Sequence, residues 1–179
     1  HPAGLRAWME WLGACVVVLL QRAGIAVFET AEVLHLSRWE RGQPVRITLL
    51  LPVMPGREDA TARAWLLVLE LFGGAFQGAE ATRLHECLHR GLESLRRLAP
   101  RGGNTPRFLR AAHELGIPVM ALAFEGYQYG HGARAQWLES TLTLQTPGLA
   151  VALARDKLAS AARLRQAGLP VPAHPAVFG

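Results

Sequence analysis

Residues 128–157 read Q-Y-G-H-G-A-R-A-Q-W-L-E-S-T-L-T-L-Q-T-P-G-L-A-V-A-L-A-R-D-K, and residues 167–172 read A-G-L-P-V-P. Gly126, Gly130 and Gly132 invite a phosphate-loop reading, but they lack the spacing of a Walker loop or a dinucleotide fingerprint. A turn before a strand suits them better. Asp156-Lys157 opens a helix, with the acid favoured near the positive end of the helix dipole. That helix is predicted over 156–167 and ends at Gly168 ahead of two prolines.

Working outward, Leu5, Trp8, Leu12, Cys15 or Val16, and Leu19 recur at three and four residues, which predicts a first helix that stops at Gly24. Ile25 to Phe28 reads as a short strand, and Pro44 to Pro52 as a longer one rich in aliphatic residues. Helices follow over about 59–72, closed by Gly73-Gly74, and about 79–98, where Leu84, Leu88, Leu92, Leu95 and Leu98 form a stripe. Pro100 to Pro106 is a loop, Thr105 is expected to cap a helix closed by Gly116, and Val119 to Phe124 is an apolar strand. Helix, glycine and strand in this rhythm indicate an α/β fold, a mixed sheet packed by helices. No repeat or low-complexity segment is visible.

The 179 residues are half hydrophobic, enough for one sizeable core with room for the edge of a second domain. Nineteen Lys and Arg against 14 Asp and Glu give a net charge of +5, and all but one of the basic residues are Arg. No basic run or aromatic-interleaved basic patch appears, so nucleic acid is not an expected partner. Cys15 and Cys87 have no paired spacing and suit buried free thiols in a reducing compartment, so a cytoplasmic location is expected. The apolar stretch from Leu12 to Leu20 has Glu10 close by and no small-residue cleavage site after it. It is also short for a bilayer, and reads as a buried helix with no membrane partner expected. The chain opens His1-Pro2 without Met, as a cut or processed product would. Trp8, Trp11, Trp39, Trp65 and Trp137 read as core or interface aromatics rather than a ligand cage.

The segment over 128–172 resembles cyanophycin synthetases and related peptide ligases at the point where their ATP-grasp domain begins. The family pattern fits without a gap at Gln128, Gly130, Gly132, Arg134, Leu138, Thr143, Thr146, Ala150, Asp156-Lys157 and Gly168 to Pro172. It departs at His131 for Tyr, Gln136 and Trp137 for two Arg, Pro147 for Ser, and Ser160-Ala161 for Thr-Lys. Looser matches upstream are Gln21-Arg22-Ala23-Gly24, Asn104-Thr105-Pro106 and Gly116-Ile117-Pro118. The resemblance implies an N-terminal, pre-ATP-grasp-type substrate-recognition domain over 1–124 and the truncated opening of an ATP-grasp domain over 125–179. It also implies a parent ligase that uses ATP and magnesium to join a carboxylate to an amine on an amino-acid or peptide substrate.

By that resemblance the nucleotide and magnesium residues lie beyond Gly179, so this chain is expected to hold no cofactor and not to turn over alone. It is expected to anchor substrate or polymer, with the downstream ATP-grasp domain and further copies of itself as candidate partners. Substrate or domain contacts are implied for Gln128, Gly130, His131, Gly132, Arg134, Thr143, Thr146, Asp156 and Lys157. A stand-alone binding or scaffold domain is the alternative.

His85-Glu86-Cys87-Leu88-His89 matches H-E-x-x-H, in which two imidazoles one helical turn apart could hold zinc and the Glu could act as general base. The competing reading places both histidines beside the leucine stripe, with Glu86–Arg90 and Glu93–Arg97 as helix-spaced pairs on a solvated face. A metzincin's later Gly and third His are replaced here by Leu92 and Leu95, although His113 could serve from elsewhere.

Overall fold

The structure is a computed structural model in which residues 2–38, 42–123 and 125–172 are described. Trp39 and Phe124 therefore lie outside the described residues. Two compact units divide the chain, His1–Thr141 and Leu142–Gly179. The class is α/β, with small antiparallel sheets and a majority of helix.

The first unit is organised around α1 (Pro2–Arg22), which places Leu12, Val16, Leu19 and Leu20 in the core. Each such side chain taken fully from water stabilises the fold by about 1.5–3 kcal/mol before its entropy cost. By length and composition alone, Gly4–Arg22 could also cross a membrane, so α1 extends well past the apolar stretch seen in the sequence. In this fold it spends one face on the core.

After α1 the chain buries Ile25 and Val27, but these residues do not form the expected strand. Their backbone turns locally: the Ile25 N–H donates to Leu20 O, and Val27 O accepts from Gln21 Nε2. The partner of β2 (Ile47–Leu50) is instead β1 (Glu32–Leu36), antiparallel with Val33 opposite Leu49 and an irregularity before His35. Arg6 Nη1 donates to Val33 O at 2.7 Å and ties α1 to this ribbon.

Helix α2 (Glu58–Phe76) begins with Glu58 and Asp59, which complement the helix dipole. It runs through Gly73-Gly74, where an end was expected, and terminates at Gln77. Those glycines serve packing: a Cβ on Gly74 would come within 3.0 Å of the Leu84 side chain on α3 (Ala81–Arg96). Further along the same contact, Gly91 of α3 lies so close to Leu67 of α2 that any Cβ would overlap it. Leu95 is fully buried at the end of the α3 stripe.

Helix α4 (Asn104–Glu114) starts at Gly103, without a side-chain cap. Thr105 is thus not the expected cap but a buried first-turn residue, followed by Pro106 where the first turn tolerates it. Gly116, at φ +64°, ends the helix as expected, and the Ile117 N–H returns to Ala112 O.

Strands β3 (Val119–Ala121), β4 (Tyr127–Tyr129) and β5 (Gln136–Glu139) follow one another antiparallel. Pairing sets Met120, Gln128 and Trp137 in one row, while Tyr127 of the opposite face is buried in the core. A 3-10 turn, Gly132–Arg134, joins β4 to β5.

The second unit opens with β6 (Leu142–Thr143) and continues as α5 (Gly148–Arg155) and α6 (Lys157–Gln166). Asp156 caps α6: its Oδ1 accepts from the N–H groups of Leu158 (3.0 Å) and Ala159 (2.9 Å). Ser160 Oγ donates to Leu153 O at 2.6 Å, which fixes α6 against the last turn of α5.

Candidate functional site

Where α2 begins, Arg57 sits in a non-helical conformation with its guanidinium held on three sides. Its Nε donates to Leu98 O at 2.8 Å and its Nη1 to Gly56 O at 3.0 Å, while Nη2 lies 4.0 Å from Glu125 Oε1. The Gly56 N–H donates to Glu58 Oε1 at 3.0 Å. Together with the N–H of Glu58 itself, that donor holds the Glu58 carboxyl below its ordinary range.

Arg57 opens into a cleft of about 510 Å³ whose other charged lining residues are Arg96, Arg97 and Arg101 together with Asp59 and Glu125. A second hollow of about 280 Å³ shares Arg57, Arg101 and Glu125 with it and adds Thr105, Tyr127 and Glu139. Asp59 is engaged by Arg63 at 3.8 Å, and Arg96 by Glu93 rather than the expected Glu93–Arg97 pair. Arg97 and Arg101 are exposed and form no ion pair among the described residues. Arginine forks can each take a carboxylate through two parallel hydrogen bonds. Such an excess of guanidinium in a concave site suits a ligand that carries several carboxylates.

Sequence reasoning missed this cleft. Its arginines come from the start of α2 and from the end of α3 with the loop after it, and only the fold brings positions 57, 97 and 101 together. The run R-R-L-A-P-R at 96–101 was the visible signal.

Of the residues singled out by sequence, Gln128 is half-buried on β4. Its Oε1 accepts from Trp137 Nε1 at 2.9 Å, and its Nε2 donates to Gly130 O at 3.2 Å. Gly130 (φ +78°) and Gly132 (φ +60°) adopt backbone that side-chain-bearing residues resist, and they form the turn expected before a strand. The Gly130 N–H is already committed to Pro118 O at 2.8 Å, so the turn does not present a row of donors to a phosphate. His131 and Arg134 project from it, exposed.

In the second unit, Thr143 and Thr146 satisfy one another: the Thr143 N–H donates to Thr146 Oγ1 and the Thr146 N–H to Thr143 O, both at 3.0 Å. Asp156 is the helix cap described above, and Lys157 is exposed at the first position of α6.

His85, Glu86 and His89 lie exposed on α3. Among the described residues, no three His, Cys, Asp or Glu side chains converge as a metal site would require. Burial pushes the Cys15 thiol up, and burial with the neighbouring Glu70 does the same for Cys87. Neither cysteine is thus primed as a thiolate nucleophile.

The chain is similar to cyanophycin synthetases. It is 32% identical over 134 residues to the enzymes of Trichormus variabilis and a Nostoc species, a stretch covering 65% of this chain and 15% of each relative. Against the cyanophycin synthetase of Geminocystis herdmanii it is 37% identical over 82 residues, 45% of this chain and 9% of that protein. This chain therefore spans only a small part of its curated relatives. No family model matches it.

Proposed function

We propose that this chain is the N-terminal recognition part of an ATP-dependent carboxylate-amine ligase of the cyanophycin-synthetase kind. In this reading it anchors an anionic substrate or growing peptide in the arginine cleft. The observation that carries the proposal is the clasped Arg57 with Arg97 and Arg101 around one concave volume. A guanidinium already fixed by Leu98 O loses little rotamer freedom when a carboxylate arrives. Glu125 and Glu139 on the same walls would meet cationic groups of a mixed-charge peptide.

Bond formation is assigned to a downstream ATP-grasp domain, where ATP would activate a carboxylate and magnesium would balance the phosphate charge. The residues here do not fit those groups: the glycine turn has spent its Gly130 N–H, Lys157 belongs to a helix start, and no acidic cluster forms among the described residues. No nucleotide step is assigned to this chain. Exposed Arg134, on the turn before β5, is the side chain proposed to face the substrate carboxylate or the ligase domain.

Fluorescence anisotropy with a labelled, aspartate-rich peptide tests the anchoring role. Saturable binding should weaken with salt, and Arg57→Ala and Arg101→Ala should each cost about tenfold or more in affinity, the ~1.5–3 kcal/mol of a charge-assisted hydrogen bond. Absence of binding at low salt, or full binding by both variants, would overturn it.

A further inference from the structure

Strand β3 is the outer strand of its sheet: it pairs with β4 and, among the described residues, with no strand on its other side. The register fixes which of its groups are left open. The Gly130 N–H donates to Pro118 O at 2.8 Å and the Leu122 N–H to Gly126 O at 3.0 Å, so positions 118, 120 and 122 bond inward to β4. Antiparallel pairs alternate, and Val119 and Ala121 therefore aim their N–H and C=O groups outward, where no described residue takes them up. At the Val119 end of this edge lies an apolar hollow of about 190 Å³, lined by Val27, Phe28, Val53, Leu109, Ile117 and Val119 among others. It shares no lining residue with the arginine cleft.

We infer that this edge and hollow bind an extended, uncharged peptide by strand addition, with one bulky apolar side chain seated in the hollow. An open strand edge is matched by a partner that offers N–H and C=O groups in alternation, which is what another main chain supplies. On an added strand, the residue opposite Val119 points to the same face of the sheet as Val119 does, and Val119 lines the hollow. Main-chain pairing and the hollow thus select the same residue of the peptide. Volume sets its size: 190 Å³ falls below the ~300 Å³ at which small-molecule sites begin, and suits a single aliphatic side chain.

Charge separates this occupant from the anion proposed for the arginine cleft. Arg110 is held over the Phe28 ring at 5.3 Å and His113 packs on the same ring at 5.2 Å, while Glu29 supplies an anion on the lining. Neither Arg110 nor Glu29 forms an ion pair among the described residues. A cation and an anion in balance favour a neutral chain, and Val53 and Ile117, 48% and 39% exposed, offer it apolar walls.

Fluorescence anisotropy with a labelled acetyl-Thr-Ser-Thr-Leu-Thr-Ser-Thr peptide tests this, beside the same peptide with Ala in place of Leu. The Leu peptide should bind about tenfold or more tightly, because the hollow takes up its extra carbons. Ile117→Asp sets a carboxylate on the hollow's wall, and Val119→Pro removes an outward N–H that the fold does not use. Each should weaken the Leu peptide by about tenfold or more with the helical circular dichroism intact. Hydrogen exchange of the unmodified chain reads the main-chain pairing directly: the peptide should slow the amides of Val119 and Ala121 and leave that of Met120, already bonded to β4, little changed. No binding of the Leu peptide, equal binding of the two peptides, or unchanged exchange at 119 and 121 would overturn the inference. So would slowing of those two amides by rising chain concentration alone, which would give the edge to a second copy.

Discussion

The indole N–H of Trp137 reaches across from β5 to the side-chain carbonyl of Gln128 on β4, at 2.9 Å, directly opposite in register. The other end of that amide holds Gly130 O, so one glutamine fixes both the strand pair and the turn that presents Arg134.

Trp137→Phe and Gln128→Ala should each lower stability by about 1 kcal/mol, the net value of one hydrogen bond with little burial change. In urea titrations the double variant should lose less than the sum of the two. Full additivity would mean the bond contributes nothing.

Asp156→Ala should release two amide groups at the start of α6 and cost about 1 kcal/mol of helix stability, while Asp156→Asn, which can still accept, should cost less. Hydrogen exchange at 158–160 reports this locally, with the amides of the Ala variant exchanging several-fold faster.

Gly91→Ala would gain up to about 1 kcal/mol of helix propensity but place a methyl into Leu67, and overpacking of this kind costs about 1–3 kcal/mol. A net loss is expected. Gly91→Ala combined with Leu67→Ala should recover part of the melting temperature lost by Leu67→Ala alone, because the new methyl fills the space.

Both tyrosines of the chain resist ionisation. Burial, with a smaller push from Tyr127, raises the Tyr129 phenol to about 12, and burial raises Tyr127 as well. The folded state thus holds protons that the unfolded chain releases near pH 10. This stability is fully present below about pH 10 and is lost as pH climbs from there toward 12. Tyrosinate absorbance of the folded chain should therefore lag that of the urea-unfolded chain, and Tyr129→Phe should flatten the alkaline decline.

The longer helices were legible because their apolar residues repeat at three and four over many turns, as in Leu84, Leu88, Leu92 and Leu95, whereas the short α5 was not. Shorter elements were not. In β1 only Val33 is fully buried, too little alternation to mark a strand, whereas Ile25 and Val27 alternate like a strand yet satisfy their backbone in a local turn. Gly73-Gly74 looked like a stop because glycine's backbone freedom shows in the sequence, while the helix packed against it does not. Asp156 was legible as a helix opener, since a cap acts within three residues. The arginine cleft was not, because its members are linked only through the packing of α2 on α3.

Arg57 bonds Leu98 across the open end of the α2–α3 pair, two positions 41 apart in the chain. The same guanidinium is thus a latch and a charge. Lysine at this position would keep the charge but could not copy the fork that grips two carbonyls, so the latch would slip while the cleft stayed positive. On the proposed function, architecture and recognition would rest on one side chain, so a cleft that lost its anion would still need another way to close the helix pair.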